Sequence, residues 1–257
     1  MNAQPAADVE MASAQQKDNL CGPFWAARIL NESGFKTWDD EAITEDLVAL
    51  RAGTLLPEAH DGSDVPPGAV SHVSYRYRLP TAPVEGSGTA AGALAEAIEA
   101  ASGGRLRCVP LSGEWNAHRV ERLVDEAAAL GSRLLANVRT GRMWASRPPV
   151  EILLAELEGR TVVEPEADWD VGHFIELEML IRGRRGSLVV VHDSYPSLGW
   201  QGRHLQPPHA MAAALERGDG REGGVLVIVP QIGLEAATAL AAEIGLEVRF
   251  WNNGTRS

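Results

Sequence analysis

The sequence predicts an α+β fold, in which helices of the first half pack on an antiparallel sheet of the second half. After Cys21, apolar residues recur at helical spacing, at Phe24, Trp25, Ile29 and Leu30. Two apolar runs, GHFIELEMLIRG and GSLVVVHDSY, are joined by a tight RGRRG turn, which is typical of an antiparallel hairpin. Helical segments followed by strands indicate the α+β class, and we expect one domain over 15–257.

The first predicted helix covers residues 21–32. Pro23 lies in its first turn, where the missing N–H costs nothing. We expect Asp18 or Asn19 to cap its start and Ser33-Gly34 to end it. The backbone N–H of the cysteine therefore lies at a helix N-terminus.

The remaining elements follow from the same patterns. Further helices are predicted at 39–52, 89–102, 117–130, 148–159 and 233–244. Besides the hairpin, strands are predicted at 105–110, 132–139, 223–231 and 246–252. The stretch 53–88 is rich in Gly and Pro, and we interpret it as an irregular lid or insertion with a strand at 73–79. Residues 1–14 are small and polar, which predicts a disordered arm.

The composition excludes several classes of function. A formal net charge of −12 argues against nonspecific nucleic-acid binding. No apolar run approaches the roughly 20 residues needed to cross a bilayer, so we expect no membrane partner. The first residues lack the basic and apolar regions of a secretory signal, which favours a cytoplasmic protein. Cys21 and Cys108 are expected to be free thiols, too few for a cysteine-rich zinc site, and we predict neither metal nor cofactor.

A cysteine at the start of a helix is suited to act as a nucleophile. The helix N-terminus and a neighbouring imidazolium both stabilise a thiolate. The alternative is that Cys21 packs as a small buried hydrophobe. Gln15, six residues earlier, is expected to donate its amide to an oxyanion together with the Cys21 N–H. Gln16 is an equal candidate in a slightly different loop, and the sequence does not decide between the two.

The predicted hairpin brings a histidine and an aspartate together. His173 opens the first strand and Asp193 follows the second, so a turn at 183–186 places them side by side. We expect Asp193 to accept from Nδ1 of His173, which leaves Nε2 facing the sulfur. Strand alternation sends His192 to the opposite face. The alternatives are a structural histidine and an aspartate that only caps the following turn.

Three motifs in this order resemble the papain-like cysteine peptidase superfamily: QQKDNLCGP at 15–23, GHFIEL at 172–177 and VVVHDSYP at 189–196. Within it, the chain is most similar to the bacterial peptidases that process double-glycine leader peptides and to stand-alone proteins of that type. The resemblance implies a papain-like fold. It also implies catalytic roles for Gln15 (oxyanion hole), Cys21 (nucleophile), His173 (base) and Asp193 (orienting group).

The resemblance implies a substrate-binding cleft as well, and we expect four residues to line it: Gln16, Gly22, Gly172 and Trp200. Tyr195 and Trp200 either wall this cleft or pack the turn after Asp193. The chain is longer than the compact leader peptidases and bulkier after the cysteine, so a double-glycine preference is not carried over.

The expected function is a cysteine peptidase that cleaves a peptide or protein substrate through a thioester acyl-enzyme. A ribosomally made precursor peptide is the substrate that the resemblance implies. Acyl or peptidyl transfer to an amine by the same groups is one alternative, and a catalytically silent peptide-binding module is another. The sequence leaves the substrate and the oligomeric state open.

Other polar and cysteine residues are predicted to have no catalytic role. His60, Asp61 and His72 fall in the irregular insertion, and no pair has the close spacing of a metal site. Cys108 lies in the middle of a predicted strand and is expected in the core. The glycines of GSGTAAG precede a helix, but neither a P-loop lysine nor a dinucleotide fingerprint accompanies them.

Overall fold

The described part of the chain, residues 15–59 and 64–255 of a computed structural model, contains seven helices and eleven strands. The helices are α1 (Cys21–Glu32), α2 (Glu45–Arg51), α3 (Ala91–Ala101), α4 (Ala117–Ala129), α5 (Val150–Leu157), α6 (Pro208–Glu216) and α7 (Leu234–Ile244). The strands are β1 (Thr37–Trp38), β2 (Glu41–Ala42), β3 (Leu56–Pro57), β4 (Thr81–Ala82), β5 (Leu106–Ser112), β6 (Arg133–Arg139), β7 (Gly172–Arg182), β8 (Ser187–His192), β9 (Arg203–Gln206), β10 (Gly224–Pro230) and β11 (Glu247–Val248). None of these helices combines the length and apolar character that crossing a membrane requires.

Seven strands form one antiparallel sheet in the order β11-β5-β10-β6-β7-β8-β9. Because alternate side chains of a strand point to opposite faces, the sheet has two apolar faces. Helices α4, α6 and α7 cover one face, and α1 and α3 cover the other. The predicted α+β class with an antiparallel sheet is confirmed. Strands β5 and β6, which precede the β7–β8 hairpin in the chain, take inner positions, β5 between β11 and β10 and β6 between β10 and β7.

Helix α1 has the predicted bounds but not the predicted N-cap. Leu20 occupies the cap position, and no side chain caps the helix. The carboxylate of Asp18 instead accepts hydrogen bonds from Ser71 Oγ at 2.5 Å and from the His72 N–H at 3.0 Å. Asp18 therefore ties the loop before α1 to the insertion. The helix ends at Ser33, and Gly34 follows with a φ of +89°.

The insertion differs from its prediction. It contains the short parallel pair β3–β4, whereas residues 73–79 form no strand. Residues 71–76 instead contact the loop before α1. For example, the Tyr75 hydroxyl donates to the Asp18 carbonyl at 3.0 Å. The residues His60 and Asp61, and the predicted arm at 1–14, lie outside the described residues.

Three further elements depart from the sequence patterns. Helix α2 is shorter than predicted, because residues 37–42 form the β1–β2 pair and Thr44 caps the helix at Glu45. Strand β9 and helix α6 were not predicted at all. The strand reads Arg-His-Leu-Gln, which lacks a run of apolar residues, and it is held by its pairing with β8.

Candidate active site

A cleft of about 460 Å³ opens where the first turn of α1 meets the end of β6 and the start of β7. Cys21 of α1 lines it and is half-buried, so the thiol is accessible from the cleft. Cys108 is buried in β5, as predicted. The cleft also contains His173 at the start of β7 and Tyr195 in the loop after β8.

The sheet brings His173 and Asp193 together inside this cleft wall. The Nε2 atom of His173 lies 3.1 Å from Oδ1 of Asp193, and both side chains are buried. The same carboxylate oxygen accepts the Tyr195 N–H at 3.0 Å. Cys21 lies close enough to His173 to contribute to the raised pKa of the imidazole. The predicted roles of the two ring nitrogens of His173 are therefore reversed: Nε2 faces Asp193, which leaves Nδ1 for the sulfur of Cys21.

The charges of the two groups stabilise each other. Burial lowers the pKa of His173, but the charge and hydrogen bond of Asp193 and the contact with Cys21 outweigh it and raise this pKa to about 10. Burial raises the pKa of Asp193, but the His173 charge and hydrogen bond, with smaller contributions from His204 and the Tyr195 N–H, hold it below its ordinary value. Near neutral pH the pair is an imidazolium and a carboxylate.

Aromatic rings enclose this pair. The Trp169 ring lies 5.2 Å from the His173 ring in an edge-to-face arrangement and 5.5 Å from the Tyr195 ring. Trp169 was missed by the sequence analysis, and its only signal was an indole in an otherwise acidic loop shortly before His173. The prediction that Trp200 lines the cleft is wrong, because this side chain is 78% exposed and lies outside the cleft lining.

The two candidate glutamines occupy different environments. The Gln15 side chain donates to the Val70 carbonyl at 2.6 Å and is not part of the cleft wall. Gln16 is buried and lines the cleft beside Cys21. Its Nε2 lies 3.2 Å from the Tyr195 hydroxyl, and its Oε1 accepts from Ser194 Oγ at 2.5 Å. The geometry therefore favours Gln16 over Gln15 as the amide near the sulfur.

The two predicted glycines also differ in position. Gly172 lines the cleft, as predicted. Gly22 does not, and a Cβ added there would lie 3.1 Å from Leu94 Cδ2 and 3.2 Å from Phe174 Cδ2. The small residue at 22 lets α1 approach the sheet closely, so that Cys21 reaches the start of β7.

A buried arginine that the sequence analysis missed supports the strand of His173. The Arg217 guanidinium forms a two-pronged ion pair with Asp219, at 3.1 and 2.9 Å, and donates to Asn137 Oδ1 at 3.2 Å. Asn137 Nδ2 in turn lies 3.4 Å from the His173 carbonyl. These contacts hold the start of β7 against the end of β6.

His192 lies away from His173, as strand alternation predicts. Its Nδ1 is 2.9 Å from Glu178 Oε1, and Glu176 lies on the same side of the sheet. Arg203 binds Glu178 with two hydrogen bonds at 2.8 and 2.6 Å, and Arg133 binds Glu176. Because the arginines balance the carboxylate charges, this cluster is an ion-pair network and offers no excess negative charge to a cation.

A family model described as "Family of unknown function (DUF6885)" matches residues 2–252 of the chain. No curated protein and no solved structure matches it. The cleft residues named above all fall within the matched range.

Iodoacetamide at neutral pH is expected to alkylate Cys21 and spare Cys108 in the folded protein. Cys21 lines the cleft beside an imidazolium, whereas Cys108 is only 9% exposed and burial raises its pKa. Intact-mass spectrometry should show one adduct and peptide mapping should locate it, while both thiols react in urea. Faster labelling of Cys108 than of Cys21 in the folded protein would contradict the described geometry.

Replacement of the Asp193 carboxylate should lower the pKa of His173. In Asp193→Asn the charge that raises this pKa is lost while burial remains, so the pKa falls from about 10 to about 6.5 or below. NMR titration of protein labelled with ¹⁵N-histidine measures the change, with the His173 signals assigned from His173→Gln. Asp170→Asn removes a cleft carboxylate paired with Arg139 and serves as the matched control. An unchanged titration in Asp193→Asn would refute the pairing.

Proposed function

We propose that this chain, which belongs to the DUF6885 family, is a cysteine peptidase with a papain-like arrangement of nucleophile, base and orienting carboxylate. The observation that carries the proposal is the position of His173. Its ring lies in the cleft that Cys21 lines, where Cys21 contributes to its raised pKa, and its Nε2 lies 3.1 Å from the Asp193 carboxylate. The order of the three residues in the chain and the antiparallel sheet support the same proposal.

The first chemical step is attack on a carbonyl carbon. The His173 imidazolium holds the proton of Cys21 at Nδ1, and the sulfur of the resulting thiolate forms a bond to the carbonyl carbon of the substrate amide, whose C=O π electrons move to the oxygen. The negative charge that develops on the carbonyl oxygen is stabilised by the Cys21 N–H, which lies at a helix N-terminus. The Gln16 amide is the second donor, because it lines the cleft beside Cys21.

The second half of the reaction releases the products. The imidazolium of His173 protonates the leaving amine, which breaks the C–N bond and leaves a thioester on Cys21. Water, deprotonated by the same imidazole, then hydrolyses the thioester and restores the thiol. Asp193 keeps its charge throughout and stabilises the imidazolium at Nε2.

The proposed substrate is a peptide segment, with leader removal from a ribosomally made precursor as the case suggested by the sequence resemblance. A cleft of about 460 Å³ fits a few residues of such a segment. We place the reaction in the cytoplasm, since free thiols at Cys21 and Cys108 are kept reduced there.

The proposed activity is expected to depend on Cys21. The test incubates the protein with a library of peptides prepared from a bacterial proteome and identifies new N-termini by mass spectrometry. Wild type and Cys108→Ala should cleave the same bonds, and Cys21→Ala and His173→Ala should produce no cleavage above background. Failure of the wild type to cleave any peptide, or cleavage that persists in Cys21→Ala, would refute the proposal.

The oxyanion role is expected to belong to Gln16 and not to Gln15. Gln16→Ala should lower kcat by about 10²–10³-fold, the usual cost of one lost oxyanion donor. Gln15→Ala should stay within about twofold of wild type, because its amide binds the Val70 carbonyl outside the cleft. The measurement is the rate of cleavage of one peptide found in the library screen. Circular dichroism checks that both variants are folded, and equal losses in the two would contradict the assignment.

A further inference from the structure

The loop before α1, residues 15–20, is held on one side by the first turn of α2. The Lys17 N–H donates to Glu45 Oε2 at 3.1 Å, and the Lys17 ammonium group lies 2.5 Å from Asp46 Oδ2. Asp46 is buried, and its Oδ1 accepts the Arg76 N–H of the insertion at 2.8 Å. Two adjacent carboxylates of α2 therefore bind one residue of the loop, one through its backbone and the other through its side chain.

Lys17 connects this anchor to the cleft. Its carbonyl accepts an N–H of Gln16 Nε2 at 3.2 Å and the Leu20 N–H at 3.0 Å. Because a carbonyl oxygen can only accept, the Gln16 atom that faces it is the amide nitrogen. The Lys17 backbone therefore fixes where the Gln16 amide lies and which of its two ends is the donor.

The surroundings of Glu45 place its ionisation near neutral pH. Burial raises the pKa of Glu45 to about 7 and the Asp46 charge adds to the shift, although the Lys17 N–H and ammonium group oppose it. From the insertion, Tyr75 lies close enough for the charges of Asp18, Glu45 and Asp46 to act on its hydroxyl. Helices α1 and α3 contribute apolar residues to the core that α2 joins. The ionisation of Glu45 can therefore be followed at the Lys17 N–H, which is bound to it.

We propose that Glu45 is a positioning residue, whose carboxyl group accepts the Lys17 N–H and so holds the Gln16 amide in the cleft beside Cys21. The inference rests on the proposed function, in which this amide is the second oxyanion donor. A carboxyl group offers an oxygen to the N–H whether it is ionised or protonated, so the role depends on the acceptor and not on the charge. Without the acceptor, Lys17 loses one of its two anchors on α2, and the carbonyl that orients Gln16 is free to turn.

The role is tested with variants that separate the acceptor from the charge. Glu45→Met keeps the length of the side chain and removes the acceptor, whereas Glu45→Gln removes the charge and keeps an acceptor oxygen. Glu41→Gln makes the same change in a neighbouring carboxylate that binds the Tyr77 hydroxyl at 2.7 Å, and it serves as the matched control. Circular dichroism checks that each variant is folded.

The contact itself is measured on the wild type, so this step does not depend on the folding of any variant. Lys17 and Lys36 are the two lysines of the chain, so protein labelled with ¹⁵N-lysine gives two backbone amide signals, and Lys36→Arg assigns them. The bond becomes charge-assisted and shorter as Glu45 ionises, so the Lys17 amide proton should move downfield with a midpoint near pH 7. The titration should be absent in Glu45→Gln and unchanged in Glu41→Gln.

The consequence for Gln16 is measured with and without a substrate. In protein labelled with ¹⁵N-glutamine, the side-chain amide signals of Gln16, assigned from Gln16→Ala, should shift in Glu45→Met and stay near the wild-type position in Glu45→Gln. For a peptide from the library screen, Glu45→Met should lower kcat by about tenfold with KM within about twofold. The expected loss is smaller than that of Gln16→Ala, because the donor is displaced and not removed. Glu45→Gln and Glu41→Gln should stay within about twofold of the wild-type kcat.

A Lys17 amide signal that does not titrate between pH 5 and 9, or that still titrates in Glu45→Gln, would overturn the inference. Equal effects of Glu45→Met and Glu45→Gln on the Gln16 signals would do so too, since both variants would then act through something other than the acceptor. A folded Glu45→Met with wild-type Gln16 signals would also contradict it. A wild type that cleaves no peptide but shows the expected Lys17 and Gln16 signals would refute the proposed function and leave this anchor of the loop in place.

Discussion

The candidate site depends on a buried ion pair between His173 and Asp193. Removing two charged groups from water costs several kcal/mol for each of them, and the cost is offset only by close geometry and further hydrogen bonds. Here the pair at 3.1 Å and the Tyr195 N–H supply those contacts, and the Trp169 ring covers them. Because either charge alone would be buried without a partner, the strands that carry the two residues have to keep one register.

The thiol reaches this pair from a different layer of the fold. Helix α1 packs on the sheet through Trp25 and Phe174, and Gly22 allows the close approach. The loop before α1 is bound directly to the segment that carries Asp193. The Gln16 N–H donates to the Ser194 carbonyl at 3.2 Å, and the Ser194 hydroxyl donates to Gln16 Oε1 at 2.5 Å. The residue next to Asp193 therefore positions the loop that leads to Cys21.

Periodicity is the part of the sequence that predicts structure well here. The 3.6-residue pattern predicted α1, and the paired apolar runs predicted the β7–β8 hairpin, which brings His173 beside Asp193. The approach of Cys21 to this pair was implied only by the resemblance to papain-like peptidases. The choice between Gln15 and Gln16 could not be predicted from the sequence, because both lie in a loop whose conformation depends on contacts with distant residues. Strand β9 could not be predicted for a related reason, since its polar residues are held by pairing with β8 and by buried hydrogen bonds. The ring nitrogen that faces Asp193 is set by the side-chain torsions of His173, which no residue pattern encodes.

The charges around the cleft bear on which segments can enter it. Two of the arginines that line it are already paired with carboxylates, Arg139 with Asp170 and Arg217 with Asp219. An acidic substrate would have to displace a paired carboxylate to reach either guanidinium. The cleft wall as a whole carries more carboxylates than guanidinium groups. The carboxylates belong to Asp18, Asp64, Glu85, Asp170 and Asp219, and the guanidinium groups to Arg139, Arg217 and Arg221. Together with a net charge of −12, this distribution attracts cationic segments and accelerates their encounter with the cleft, and it disfavours acidic ones.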